Sequence, residues 1–444
     1  MNAPDSQPTL TESALPSFVA RTMSVSAALL LITAAFTLAK TGRDALYFQA
    51  QGLNDLPGAY LGIALFNLPV AAIMLGLMRW LGTRWARVAA AMVMAVALVL
   101  FAQVAKPGGG ALMTTIFMCI PLGFGVLFSS AWLLAADLLE HSTPSQLTRA
   151  YGLIGGASIV GSIAGPLLAK ALAMRVEPNA FFLMAAGTLA LAGILMATAQ
   201  RICPRHSMYR AGGLILPTRR DIGLVIREPY TRLLFAIATL GALAGLLIDF
   251  QFYLAAATSG NTGRANASFF ANYYLALGVA ALTLQVLLLP ALQRRFGVYG
   301  TLFVLPGALL GGAAALVANA SGFMRSLLRV AEGSLKSSVH RVSWERTYLP
   351  LSGAQRAIAK ILADGFGVHT AEAAGALIIL FWLRVVVKGG DVVGRSTAWV
   401  GWVLLGVVLL WLALTRSLGR NLSAVIQTRE LDEAARMDIP PPDT

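Results

Sequence analysis

Arg325-Ser-Leu-Leu-Arg329-Val-Ala-Glu332-Gly-Ser-Leu-Lys336-Ser-Ser-Val-His340 is the stretch that decides how this chain is arranged. Its five titratable residues recur at steps of four, three, four and four, which at about 100° per residue holds them on an arc of roughly 80° of one helix. A helix in lipid cannot turn such a stripe toward hydrocarbon, because each charge held at bilayer depth costs at least about 2.5 to 3.5 kcal/mol. The stripe faces protein or a water-filled cavity, or else the segment lies on the membrane surface.

The surroundings are those of a membrane protein. Of 444 residues, 57% are hydrophobic and 12% charged, about half the charged share of an ordinary soluble domain. Apolar stretches long enough to cross about 30 Å of hydrocarbon occur near 24–48, 58–80, 85–105, 111–138, 149–173, 178–199, 231–256, 267–291, 299–319, 321–343, 357–387 and 397–415. The expected fold is all-α with twelve transmembrane helices.

A net charge of +14 raises nucleic acid or anionic lipid as a partner, but its placement is explained by topology. Arg79, Arg84 and Arg87 fall in the second loop, Arg201, Arg205, Arg210, Arg219, Arg220 and Arg227 in the sixth, and Arg294 and Arg295 in the eighth. Alternate loops are basic, so the positive-inside rule puts them and both termini in the cytoplasm of a bacterial inner membrane. No nucleic-acid partner is expected. The resulting domain plan is a segment 1–23, a six-helix bundle 24–199, a basic linker 200–229 that can touch anionic lipid, a second bundle 230–415 and a tail 416–444. The tail reads as a short surface helix ending in a disordered Pro440-Pro441-Pro442 run. Asp5 and Glu12 make residues 1–23 a poor secretory signal, and the first helix is expected to be retained. Cys119 and Cys203 are far apart and imply neither a disulfide nor a metal framework.

The two bundles look like copies. Span 1 ends in Arg43-Asp44-Ala45-Leu46-Tyr47-Phe48, and span 7 ends in Ile248-Asp249-Phe250-Gln251-Phe252-Tyr253, with Asp44 and Asp249 205 residues apart. Arg84-Trp85 and Arg295-Phe296 match at 211, Pro144 and Pro350 at 206, and Arg149-Ala150 and Arg356-Ala357 at 207. Near-constant offsets at four places point to duplication of a six-helix unit. An even number of spans gives both copies the same orientation, which resembles the parallel repeats of major-facilitator transporters with substrate between the halves. The repeat also makes 321–343 a span, the partner of span 4, rather than a surface helix.

Three constellations have chemical potential. Lys40, Arg43, Asp44 and Tyr47 share one face of span 1; they line a cavity, or the cations snorkel to the interface. In span 10, Glu332 can pair with Arg329 or Lys336 and leave Arg325, His340 and the remaining cation for a ligand, or the whole stripe is a self-neutralising network. Span 11 adds Lys360 and Asp364 at i, i+4, together with His369, as an internal ion pair or as cavity groups. Pooled, the candidate substrate-binding groups are Lys40, Arg43, Arg325, Arg329, Lys336, His340 and Lys360, and the coupling or charge-pairing groups are Asp44, Asp249, Glu332 and Asp364. Cations outnumber carboxylates, which favours an anionic solute, and Arg forks suit phosphate oxygens. Tyr47, Phe48, Phe252 and Tyr253 either stack on a planar base or simply pack. The glycines Gly152, Gly155, Gly156, Gly161 and Gly165 suit close helix packing. There is no phosphate-binding Gly-rich loop before Lys-Ser/Thr, no His-Glu-x-x-His, Cys-x-x-Cys or Gly-x-Ser-x-Gly, so no enzyme, cofactor or ATP pump is expected.

Lys40-Thr-Gly-Arg43-Asp44-Ala-Leu-Tyr-Phe, Asp249-Phe-Gln-Phe, and Glu332-Gly-Ser-Leu-Lys336-Ser-Ser-Val-His340-Arg341 running into Glu345-Arg-Thr-Tyr348-Leu-Pro350 together resemble the ATP/ADP translocase (nucleotide transporter) family over about 24–415. The resemblance implies twelve spans and exchange of ATP for ADP, with Lys40, Arg43, Lys336 and Lys360 at the family's basic positions. Two stretches depart from the family pattern: Phe124 to Phe128 lacks an acidic residue, and Arg356-Ala-Ile-Ala-Lys360 replaces a lysine- and glycine-rich signature, as in a divergent bacterial member. The expected function is a monomeric secondary transporter of an organic anion, a nucleotide or related phosphate compound, in a lipid bilayer. The alternatives are a proton-coupled carrier using Asp44, Asp249, Glu332 or His340, and a non-transporting subunit or sensor.

Overall fold

A computed structural model of the chain describes residues 18–50, 55–105, 110–139, 143–201, 223, 227–348, 350–351, 353–386 and 398–437, and its elements are helices. The first half consists of α1 (Phe18–Ala50), α2 (Leu56–Val104), α3 (Ala111–Leu139), α4 (Pro144–Leu172) and α5 (Ala180–Arg201). At 49 residues α2 is far too long for one crossing. Gly82 breaks it at φ 76°, a left-handed conformation that glycine adopts without a side-chain clash, and so makes spans 2 and 3.

The second half begins with α6 (Pro229–Thr258). The next helix, α7 (Gly263–Thr283), continues through a π-helical turn at Leu284–Leu288 into α8 (Leu289–Gly300). After α9 (Val304–Ala318) comes α10 (Gly322–Leu335), which passes through a π turn at Lys336–His340 into α11 (Arg341–Thr347). Similarly, α12 (Gly353–Lys360) passes through a π turn at Ile361–Gly367 into α13 (Val368–Phe381), and α14 (Ala398–Met437) closes the chain. Ten helices among the described residues are long and apolar enough to cross a membrane. Since α2 supplies two crossings and the charged α10–α11 segment packs inside the bundle, these make twelve spans in two pseudo-symmetric six-helix bundles.

The symmetry is visible in matching devices. Gly297 (φ 68°) breaks the chain between spans 8 and 9 as Gly82 does between spans 2 and 3. Arg84 follows its break whereas Arg295 precedes its own, so these two arginines do not occupy matching places. Arg87 at the start of span 3 pairs with Asp137 at the end of span 4 (2.5 Å), and the hydroxyls of Thr301 and Ser343 hydrogen-bond at the corresponding place in the second half. Helix starts follow local chemistry: Thr143 and Gln146 form a capping box on α4, and Ser321 accepts from the Met324 N–H at the start of α10.

Gly161 and Gly165 bring α4 against α1 so closely that a Cβ on either would lie 2.3 Å from the Leu30 carbonyl or 2.1 Å from Thr37 Oγ1. Gly152, Gly155 and Gly156 face open space and have no such role. The last helix, α14, runs on without interruption through residue 416 to Met437. Most of the basic linker, with Cys203, Arg205, Arg210, Arg219 and Arg220, lies outside the described residues, as do residues 1–17 and the Pro440–Pro442 end.

Candidate functional site

Midway along the spans, between the halves, lies a cavity of about 200 Å³. The first half lines it with Phe36, Lys40 and Arg43 of α1, Tyr60 of α2, and Phe117 of α3; the second half adds Gly245, Asp249 and Tyr253 of α6, Arg329 of α10, Lys336 of the π turn and Glu372 of α13.

The charged residues sort into linked groups. Arg329 reaches two carboxylates: its Nε lies 2.5 Å from Asp249 Oδ1, and its Nη1 pairs with Glu332. The other oxygen of Glu332 lies 3.3 Å from Lys336 Nζ. Glu332 is almost fully buried and Lys336 half exposed, so the lysine presents its charge to the cavity while the glutamate backs it. Gly245 lets α6 approach this pair, since a Cβ there would sit 3.2 Å from Glu332 Oε1 and 3.3 Å from Lys336 Nζ. Lys40 has no carboxylate within ion-pair distance among the described residues; its ammonium lies 4.8 Å from the centre of the Tyr274 ring and 5.9 Å from that of Phe36.

Arg43 and Asp44 are buried together at one end of the cavity. Arg43 Nε donates to Asp44 Oδ1 at 2.7 Å, the guanidinium lies 4.0 Å from the Phe117 ring centre, and Tyr253 and Tyr274 of the second half donate to Asp44 Oδ2. Around this pair the rings of Tyr47, Phe48, Phe117, Tyr253 and Phe270 pack on one another, with Phe48 stacked on Tyr253 at 4.5 Å. Asn266 donates to the Ala45 carbonyl at 2.9 Å, and Arg264 pairs with Glu177 at 2.8 Å, both across the halves. These ring contacts, hydrogen bonds and the ion pair join the halves at this end and form a seal, while Asn67 and His369 meet across the seam elsewhere. Of the four aromatic candidates for base stacking, Tyr47, Phe48 and Phe252 belong to that packing, and only Tyr253 also lines the cavity.

Other sequence candidates lie away from the cavity. Arg325 is buried near the start of α10 and does not line it. The π turn at Lys336–His340 adds one residue per turn, rotating the residues beyond it by about 100° from the α-helical stripe. His340 accordingly packs against Trp344 and Trp411 instead of facing the cavity. A second π turn, directly after Lys360, separates Lys360 from Asp364: Lys360 pairs with Glu345, and Asp364 accepts from Trp344 Nε1 and the Tyr348 hydroxyl at 3.0 Å each. They form neither an internal ion pair nor part of the cavity.

The third span 11 candidate, His369, belongs to a cluster whose other members, Asn67 and Glu372, were not among the expected site residues. Asn67 of α2 hydrogen-bonds His369 Nε2 across the seam, and His369 Nδ1 lies 3.1 Å from Glu372, which lines the cavity. His369 and Glu372 sit at i, i+3, a detectable signal, whereas Asn67 lies in an otherwise apolar span and has none.

The fold is that of major-facilitator-like transporters. The structure of the nucleoside transporter NupG matches with TM-score 0.57 at 13% identity, over 92% of this chain and 98% of that one. The POT family transporter PepTSo matches with TM-score 0.65 at 12% identity, over 92% and 99%. A bacterial homologue of the iron transporter ferroportin, in an inward-facing state, matches with TM-score 0.59 at 15% identity, over 91% and 99%. No family model matches the sequence, and no curated protein matches it.

Proposed function

We propose that this chain is a secondary transporter that moves a small organic anion across a membrane by alternating access. The observation that carries this reading is the set of cations around one cavity between the halves: Lys40 with no carboxylate partner among the described residues, Lys336 half exposed, and Arg329 held between two acids. Arg329 and Lys336 share Asp249 and Glu332 when the site is empty, so the vacant carrier is spared a buried net charge while it reorients. An arriving phosphate or carboxylate takes part of that coordination and the charge of Lys40. Arg43, bound to Asp44 inside the seal, acts as a gate residue in this conformation. By the positive-inside rule the sealed end faces outward, and both termini are cytoplasmic in an inner membrane.

The residue pattern shared with nucleotide carriers makes ATP and ADP the first solutes to test, with exchange as the mechanism. A cavity of about 200 Å³ accommodates the phosphate end of such a molecule better than the whole, so smaller phosphate compounds belong in the same panel. Uptake of labelled ATP, ADP and small phosphates into proteoliposomes, with and without internal counter-substrate, tests the reading. Counter-substrate should stimulate flux, and Lys336→Ala and Arg329→Ala should each abolish it with insertion unchanged. Wild-type flux in both variants would remove these residues from the site, and no flux for any anion would favour a non-transporting subunit.

A further inference from the structure

The charges around the cavity balance in a particular way. Arg43 cancels Asp44, and Arg329 with Lys336 cancels Asp249 with Glu332. What remains is Lys40 on one side and Glu372 on the other, both lining the cavity. The vacant site is thus electrically neutral, and an anion entering it adds net charge in a low-dielectric place, which is costly without compensation. The compensating group is next to the odd carboxylate. His369 Nδ1 lies 3.1 Å from Glu372 Oε2, and its Nε2 meets Asn67 of the other half.

We infer that the His369–Glu372 pair is a proton-binding site, and that a proton taken up there accompanies the anion into the cavity. This rests on the anion-transport reading above. With His369 neutral, Nδ1–H donates to Glu372, Nε2 accepts from the Asn67 amide, and the pair carries one negative charge. A proton added at Nε2 makes an imidazolium whose charge cancels Glu372, and Asn67 turns its amide so that Oδ1 accepts from the new N–H. The charge of Lys40 is then left for the anion. Among the described residues the surroundings contain no rival ion pair: α2 faces α13 with Asn67 and Tyr60, α6 contributes Asp249, already paired with Arg329, and Lys40 and Lys336 face the cavity from α1 and the π turn. Asp364, on the preceding turn, is engaged by Trp344 and Tyr348.

Linkage gives the test, because if a proton strengthens anion binding, the anion must draw in a proton. Binding of labelled ADP and of inorganic phosphate to the purified full-length protein is measured between about pH 6 and about pH 8, with proton uptake followed by an indicator dye in weak buffer. Relative to His369→Gln, which carries only the probes' own titration, the wild-type protein should lose affinity by up to about tenfold more per pH unit as pH rises and should take up as much as one further proton per anion bound. His369→Gln fixes the pair at one negative charge and should bind weakly, keeping only the pH slope that the phosphate groups of the probes contribute themselves. Glu372→Gln removes that charge and should keep the acid-side affinity at alkaline pH. The opposite plateaus exclude simple misfolding as the cause of a lost slope. Wild-type slope and proton uptake in His369→Gln, or pH-independent binding by the wild type, would overturn the inference alone. Absence of binding by either probe at every pH would overturn the anion reading, and the inference with it.

Discussion

Arg329 holds two carboxylates with one guanidinium, and this makes it unlike the other cations of the site. Removing it leaves Asp249 facing the cavity without its cation and Glu332 buried with only Lys336 at 3.3 Å, so Arg329→Met should lower stability by about 3 to 5 kcal/mol. Adding Asp249→Asn should recover much of that loss, as read by thermal unfolding in detergent. Lys336→Ala should cost about 1 kcal/mol or less, because Lys336 is half exposed and Glu332 keeps Arg329. Equal destabilisation by the two single variants would contradict this division between a buried clamp and a cavity-facing charge. At this scale the centre of the stripe was legible, since Arg329, Glu332 and Lys336 follow from spacing and the cost of charge in lipid. His340, Lys360 and Asp364 were not, because spacing arguments assume an unbroken α-helix and π turns intervene at Lys336–His340 and Ile361–Gly367.

Among the helices, α4 shows how small residues set distances. Gly165 sits where a Cβ would meet Thr37 Oγ1 at 2.1 Å and the Ala34 carbonyl at 2.5 Å, whereas Gly155 faces open space. Gly165→Ala should therefore destabilise by about 1 to 3 kcal/mol through overpacking of α1. Gly155→Ala should be neutral or stabilising by up to about 1 kcal/mol, since alanine is the better helix former. Melting temperatures of the two variants in the same detergent check the contrast; a larger loss for Gly155→Ala would mean that the α1–α4 crossing is not the tight one. The sequence showed a glycine-rich span but not which of its faces met a neighbour, because five glycines over fourteen residues leave more than one face small. The breaks at Gly82 and Gly297 were hidden for a related reason: a single glycine among apolar residues looks the same in a continuous helix as at a left-handed bend.

Across the whole molecule, the two-bundle architecture was the most legible property, because three of the four sequence offsets, at 205, 206 and 207 residues, agree with it, and the Arg84–Arg295 match at 211 does not. How the halves meet was not legible, since the contacts that close them, Arg264 with Glu177 and Asn266 with Ala45, join residues of no periodic pattern. That closed end can be tested directly. With Cys119 and Cys203 replaced by serine, Glu177→Cys and Arg264→Cys bridged by a short bifunctional thiol reagent should stop the proposed transport, with flux returning when a cleavable bridge is cut. Unimpaired exchange by the bridged protein would show that this end need not part during transport. The seal itself has a thermal consequence. Opening it wets the packed rings of Tyr47, Phe48, Phe117, Tyr253 and Phe270, and newly hydrated apolar surface raises heat capacity. On the proposed alternating-access cycle, the enthalpy and entropy of opening this end therefore both change with temperature, and the balance between its sealed and open forms follows a curve, with the sealed form most favoured at an intermediate temperature and losing ground on either side.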